Sequence, residues 1–267
     1  MHAGRGRVLA ELRERIGRLE TGSRSRERLP FGVENLDGHL GGGLALGQVH
    51  DVLEAGAAAE HAARATLFVA GILARLPGPV LWCLRRRDLF APALSSVGLH
   101  PDRVIYAETL KDAEVLPALE EGLRQPGLAG VVGEVARLGL TPSRRLQLAA
   151  ESSGVTAFVI RRWRSDSERA FGTEPSAAAT RWRIGAAPSG PVPAPGVGRA
   201  RWLVELMRIR GGEGRSWVLE ACDATGRLAV PTELGHGSPP QGLERPLAGE
   251  AAGYGREGRL AAAGRGR

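Results

Sequence analysis

Residues 50–68 read HDVLEAGAAAEHAARATLF. Residues 48–53 (QVHDVL) have the composition of a strand. Residues 60–75 have helical spacing, with Ala62, Ala65, Leu67, Phe68, Ile72 and Leu73 available for burial. A strand that runs through small residues into a helix is the setting of a phosphate-binding loop. Gly56, Ala57, Ala58 and Ala59 supply the small residues. The lysine and hydroxyl of G-x-x-x-x-G-K-[ST] do not follow. Over the window Glu54–His61 their places fall near Glu60 and His61. In a working loop the backbone N–H groups cradle the phosphates, the lysine neutralises them and the hydroxyl holds magnesium. A carboxylate at each end of the window repels a triphosphate. Lys111 is the only lysine in the chain and opens a different helix, and Arg64 lacks the short reach that the loop needs.

Outward from this stretch, short apolar runs alternate with helix-length segments. Residues 79–84 (PVLWCL), 103–106, 128–132 and 155–160 read as strands, the first as one buried on both faces. Residues 88–97, 111–124 and 142–152 read as helices, with Pro117 a local irregularity. This alternation predicts βαβ units and a mostly parallel sheet flanked by helices. Beyond residue 179 the pattern changes. Residues 180–184 and 200–209 alternate, GGEG at 211–214 is a turn, and 216–222 pairs back as an antiparallel hairpin. A further strand is placed at 227–230. The segment 186–198 holds four prolines and cannot join a ladder.

Two other parts of an ATPase are missing. The magnesium-binding aspartate should end the strand 128–132, where the chain has Gly133 and Glu134. With no phosphate loop to share the ion, Glu134 reads as a solvated or capping residue. After strand 79–84, where an activating carboxylate often stands, the chain has Arg85, Arg86 and Arg87. Three independent requirements fail together, so the chain is expected to be no enzyme and to take no cofactor.

The formal net charge of +7 and a pI near 10.7 favour a polyanionic partner, weakly, because only clustered charge makes a binding face. Cys83 and Cys222 lie far apart without metal-ligand spacing and read as core residues. No apolar run reaches the roughly 20 residues needed to span a bilayer, and the first residues lack the long apolar core of a secretory signal, so a cytoplasmic location is expected. Residues 1–28 read as an amphipathic helix and linker. Leu9, Leu12, Ile16 and Leu19 lie on one stripe, which packs on its own domain or is offered to a partner. Residues 29–231 form the main domain. Residues 232–267, rich in glycine, alanine and arginine, read as a disordered tail.

The order of segments resembles the RecA recombinase core over about residues 30–222. LPFGVENLDGHLGGGLALGQVHDVLEAG, with Leu36, Asp37 and its glycine-rich turn, is similar to the approach to the RecA phosphate loop. Residues 156–172 (TAFVIRRWRSDSERAFG) resemble the strand that leads into the second RecA DNA-binding loop, and RWRIGAAP resembles the return. Within that superfamily the chain is identified as a member of the ImuA family, RecA-like proteins with a degenerate nucleotide site. LPFGVENLDGHLGGGL, VLWCLRRRDLFAPAL, GLHPDRVIY, RRWRSDS, ATRWRI and the run from Ala200 to Pro231 carry the likeness. It implies an accessory role in the SOS response, in error-prone translesion synthesis beside ImuB and an error-prone replicative-type polymerase subunit, with RecA a further candidate partner. Two other readings remain: a SulA-like inhibitor of cell division, and an ATP-dependent RecA paralogue, which the missing lysine and aspartate argue against.

Three Arg-Trp pairs recur, at 162–163, 181–182 and 201–202. Arginine beside an aromatic suits single-stranded DNA. Plain alternation explains two of them: Trp182 and Ile184 face the core while Arg181 and Arg183 face water, and Trp202 is likewise core. Arg161, Arg162, Trp163 and Arg164 end a buried strand and open a polar loop, at the sheet edge where α/β proteins place ligands. They are DNA-contact candidates, as are Arg85, Arg86 and Arg87 at a neighbouring strand end.

Overall fold

The computed structural model describes residues 27–56, 58–86, 88–163, 170–189 and 198–231, without the side chains of 58–62 and 170–171. The N-terminal helix with Leu9, Leu12, Ile16 and Leu19, the tail 232–267, Arg87, Arg164 and the side chains of Ala59, Glu60 and His61 lie outside the described residues.

The first strands, β1 (Arg28–Leu29) and β2 (Leu44–Ala45), pair antiparallel around the short helix α1 (Glu34–His39). The Leu36-Asp37 pair explains this segment. Leu36 is fully buried, and the Asp37 carboxylate accepts the backbone N–H groups of Phe31 (2.6 Å) and Gly32 (2.9 Å). Gly43 closes the turn at φ +123°, where a Cβ would lie 2.4 Å from the Leu29 carbonyl oxygen.

The main sheet follows: β3 (Val49–Glu54), α2 (Ala58–Ala74), β4 (Val80–Leu84), α3 (Ala91–Ser95), β5 (Val104–Glu108), α4 (Asp112–Leu123), β6 (Gly130–Val135), α5 (Leu140–Ser153), β7 (Ala157–Arg161), β8 (Thr180–Ala187), β9 (Arg201–Ile209) and β10 (Arg215–Glu220). The eight strands lie in the order β10-β9-β8-β3-β7-β6-β4-β5. From β8 to β5 every neighbour is parallel, and β8, β9 and β10 are joined antiparallel. This is the α/β fold read from the sequence, with its mostly parallel sheet and antiparallel C-terminal hairpin. The strand at 227–230 is reduced to a single bridge, Glu220 to Ala229. Pro117 lies inside α4, which runs on through it.

Successive side chains of the parallel strands enter two cores, one on each face. Phe158 and Ile160 join Phe68, Trp82 and Trp182 under α2, while Val159 joins Val115, Leu119 and Leu146 under α4 and α5. Phe31, Phe68 and Trp182 stack on one another with centroids 5.7–5.9 Å apart. Such pairs contribute about 0.5–1.5 kcal/mol each beyond the area buried. All five tryptophans are buried, so none of the three Arg-Trp pairs offers a ring to a base. Burial pushes the Cys83 thiol up to about 12, which suits a core residue. Among the described residues no helix is long and apolar enough to cross a membrane.

Candidate functional site at the strand ends

β3 lies inside the sheet between β8 and β7, and all six of its residues are buried. Its last, Glu54, is fully inaccessible, and neither carboxylate oxygen has a hydrogen-bond partner among the described residues. Burial pushes the carboxyl up to about 7. The positive charge of Arg162 opposes that rise, and Glu134 and Asp88 add to it. After Glu54 only residues 55–57 precede α2, so Ala58 and Ala59 are already helical. Open N–H groups for a phosphate would have to come from a shorter stretch than G-x-x-x-x-G-K provides. Ala55 is also engaged, its N–H donating to the Ile184 carbonyl at 3.2 Å.

β6 carries the second carboxylate. The strand continues to Val135, past the end expected from its apolar run, so Glu134 lies inside the sheet and is 7% exposed. The expectation of a solvated or capping residue is therefore corrected. The glycines at 130 and 133 concealed the strand's length, and Gly133 is retained because a Cβ there would crowd Leu119 at 3.1 Å. The Glu134 carboxylate accepts Trp82 Nε1–H at 2.8 Å and pairs with Arg162, whose Nε is 2.7 Å from Oε2. Burial raises its pKa, against the pull of Arg162 and the Trp82 hydrogen bond. Arg162 further donates to Thr66 Oγ1 at 3.2 Å and stands 3.9 Å from Asp88.

A cavity of about 80 Å³ opens beside this cluster, lined by Arg85, Arg86, Asp88, Asp112, Glu134 and Arg162 among others. At these strand ends two buried carboxylates, Glu54 and Glu134, stand near Arg162, and Arg162 is already paired with Glu134. Among the described residues no three His, Cys, Asp or Glu side chains are grouped to hold a metal ion.

The DNA-contact candidates part company. Arg161 is fully buried. Its Nη1 is 3.8 Å from Asp51 and its Nε donates to the Ala136 carbonyl at 3.2 Å. Arg161 ends β7 between β3 and β6, where both faces of the sheet are covered, so it cannot meet a phosphate and the expectation fails. Trp163 is 6% exposed, with its ring against Gly172, so it is not a stacking platform. Arg162 faces inward to Glu134. Arg85 and Arg86 are exposed, with Arg85 3.6 Å from Asp112. Gly56 lies between β3 and α2, partly exposed.

Arg181 is a further correction. Alternation places it in water, yet it is 7% exposed, because the segment 172–176 folds over that face of β8. Its Nε donates to Asp51 Oδ2 at 2.9 Å, and its remaining N–H groups reach Gly172 O, Glu174 O and Ser176 Oγ at 2.7–3.0 Å. Trp182, Ile184 and Trp202 are core residues, as alternation requires. Arg183 is partly buried and holds Glu205 through two hydrogen bonds of 2.6 Å.

Sequence reasoning overlooked His50 and Asp51. His50 Nε2 is 2.9 Å from the Ala45 carbonyl, which can only accept, so Nε2 carries the proton and Nδ1 accepts from the Thr180 hydroxyl at 2.7 Å. Trp182 Nε1–H in turn donates to Thr180 Oγ1 at 2.7 Å. Burial pushes the His50 pKa down to about 4, and the imidazole is neutral. The available signal was three ionisable residues, 50, 51 and 54, within or at the end of a strand-like run.

No protein-family model matches the chain. Among curated proteins it is similar to Protein ImuA of Caulobacter vibrioides strain NA1000 / CB15N, at 41% identity over 241 residues, which cover 86% of this chain and 94% of that relative. Protein ImuA of Caulobacter vibrioides strain ATCC 19089 matches with the same identity and coverage. Likeness at that level, over 86% of this chain and nearly the full length of both relatives, makes this chain a member of the ImuA family.

Proposed function

We propose that this chain is a non-catalytic, RecA-like accessory protein of the DNA-damage response, which supports error-prone translesion synthesis as an adaptor beside ImuB and an error-prone polymerase subunit. The observation that carries the non-catalytic part is the pair of buried carboxylates, Glu54 and Glu134, at the two strand ends where an ATPase needs a phosphate loop and a magnesium aspartate. Removing a lysine would only weaken such a site. Placing two carboxylates there, with one arginine committed between them, makes it repel what it once held. Family membership supports the adaptor part, since a protein that keeps the fold without the chemistry acts through its surfaces. RecA is a further candidate partner, and Arg85 and Arg86 are the strand-end arginines exposed enough to approach single-stranded DNA.

Calorimetric titration of the full chain with magnesium-ATP tests the first part. No saturable heat is expected. Micromolar, magnesium-dependent binding would overturn it. Affinity capture from DNA-damaged cells, with partners identified by mass spectrometry, tests the second. ImuB and the polymerase subunit are expected, and recovery of the cell-division ring in their place would transfer the protein to the SulA-like class.

A further inference from the structure

β7 and β8 are neighbours of β3 on opposite sides, and the connection between them leaves the sheet at Arg161 and returns at Thr180. Both stems of that connection are tied down by charged groups from other elements. On the departing stem the Arg162 N–H donates to the Val135 carbonyl at 2.9 Å, and its guanidinium holds Glu134 and Thr66. The next residue, Trp163, lays its ring on Gly172 so closely that a Cβ there would be 2.8 Å from the ring. On the returning stem the buried Arg181 holds the carbonyls of Gly172 and Glu174 and the hydroxyl of Ser176, while Asp51 balances its charge. Arg137 pairs with the Glu174 side chain at 2.8 Å, Ser143 Oγ accepts the Ala177 N–H at 2.9 Å, and Arg208 donates to the Ser176 and Ala178 carbonyls. The two stems meet at Gly172, with Trp163 on one side and Arg181 on the other.

We infer that these contacts form an internal clamp which sets the stems of the β7–β8 connection without any nucleotide, with Arg162 and Arg181 as its positioning residues. The inference deepens the non-catalytic reading and rests on it. Arg162 is the cation best placed to sense a phosphate at the strand ends, and Glu134 already satisfies it from within the fold. The stems are therefore held in one arrangement whether or not ATP is present. A partner that docks on them meets a preformed surface and loses less conformational entropy on binding. Charge-assisted hydrogen bonds in a buried setting, such as those of Arg181, are among the stronger polar contacts available for this.

Hydrogen exchange of the full chain separates the alternatives. In the wild type, amides of 172–178 are expected to be protected equally with and without magnesium-ATP. Two variants loosen the clamp by different routes: Glu134→Gln removes the charge that holds Arg162, and Gly172→Ala drives a methyl into the Trp163 ring. Each is expected to speed exchange at 172–178 by about tenfold or more, while the β9–β10 hairpin keeps its wild-type rates. Wild-type rates at 172–178 in both variants would overturn the clamp and leave the non-catalytic reading standing. Faster exchange spread evenly over the chain, hairpin included, would also overturn it, since that marks general loss of stability. A change in protection at 172–178 when magnesium-ATP is added to the wild type would overturn both.

Discussion

Asp51 and Glu54 are two fully buried carboxylates three residues apart on the same strand, and they are treated in opposite ways. Asp51 stands between two arginines, 2.9 Å from Arg181 and 3.8 Å from Arg161. Glu54 has no hydrogen-bond partner among the described residues and is pushed up to about 7. The first is an interior charge that the fold is built around. The second has no such partner among the described residues, and the fold tolerates it by keeping its proton on for longer.

The sharpest way to break this comparison is Asp51→Asn. It deprives the buried Arg161 and Arg181 of their nearest counter-charge, which costs about 3–5 kcal/mol. Against a typical domain stability of about 5–15 kcal/mol, urea unfolding should show a large fall or no folded protein at all. A loss below about 1 kcal/mol would mean that the arginines find other partners and that Asp51 is dispensable.

Glu54→Gln should act in the other direction and depend on pH. The folded pKa is raised from 4.5 to about 7, so the folded state holds the proton more tightly than the unfolded one. Stability from this group is fully present below about 4.5 and is lost as pH rises through about 7. The variant should therefore exceed the wild type by on the order of 1–3 kcal/mol at pH 8, with little difference at pH 4.5. His50, pushed down to about 4, runs the opposite way: its contribution is present above about 6.5 and is lost as pH falls through about 4. Comparing variant with wild type at each pH cancels it. A pH-independent difference in urea midpoint would refute the assignment.

The smallest effect on stability belongs to the exposed rim. Reversing Arg85 and Arg86 to glutamate should change stability by no more than about 0.5 kcal/mol each, since the Arg85–Asp112 pair is solvated. If these arginines meet single-stranded DNA, the same variant should flatten the slope of log affinity against log salt by about 0.7 for each phosphate it no longer neutralises. An unchanged slope would leave them as ordinary surface charge.

The parts of this chain that could be read in advance share one property: they depend on local pattern. The continuous apolar runs at 79–84 and 155–160 mark strands covered on both faces, and the GGEG turn marks the hairpin, because neighbours in sequence suffice to specify them. Glu134 and Arg181 escaped because their surroundings come from far away. A strand that opens Gly130–Val131–Val132–Gly133 carries too little apolar signal to show that it continues. The alternation at 180–184 assumes a solvated face, which the segment 172–176 covers. Arg161 misled for the same reason. A basic residue at the end of a buried strand resembles a rim, and only the sheet order, with β3 beside β7, reveals Asp51 beside it. The missing lysine was legible at once, while the buried acidic pair needed the fold to bring residues 54 and 134 together.

The sheet order also has a consequence for synthesis. β3 is made early, yet its neighbours in the sheet are β7 and β8, and His50 waits for Thr180, 130 residues later. At a translation rate of roughly 5–20 residues per second, the strand spends on the order of ten seconds without either partner. A purely aliphatic central strand would be a sticky template through that interval. Half of β3, namely His50, Asp51 and Glu54, is ionisable and hydrated until its partners emerge. The polar residues that burden the finished core thus keep β3 from being a purely apolar template before its neighbours are made.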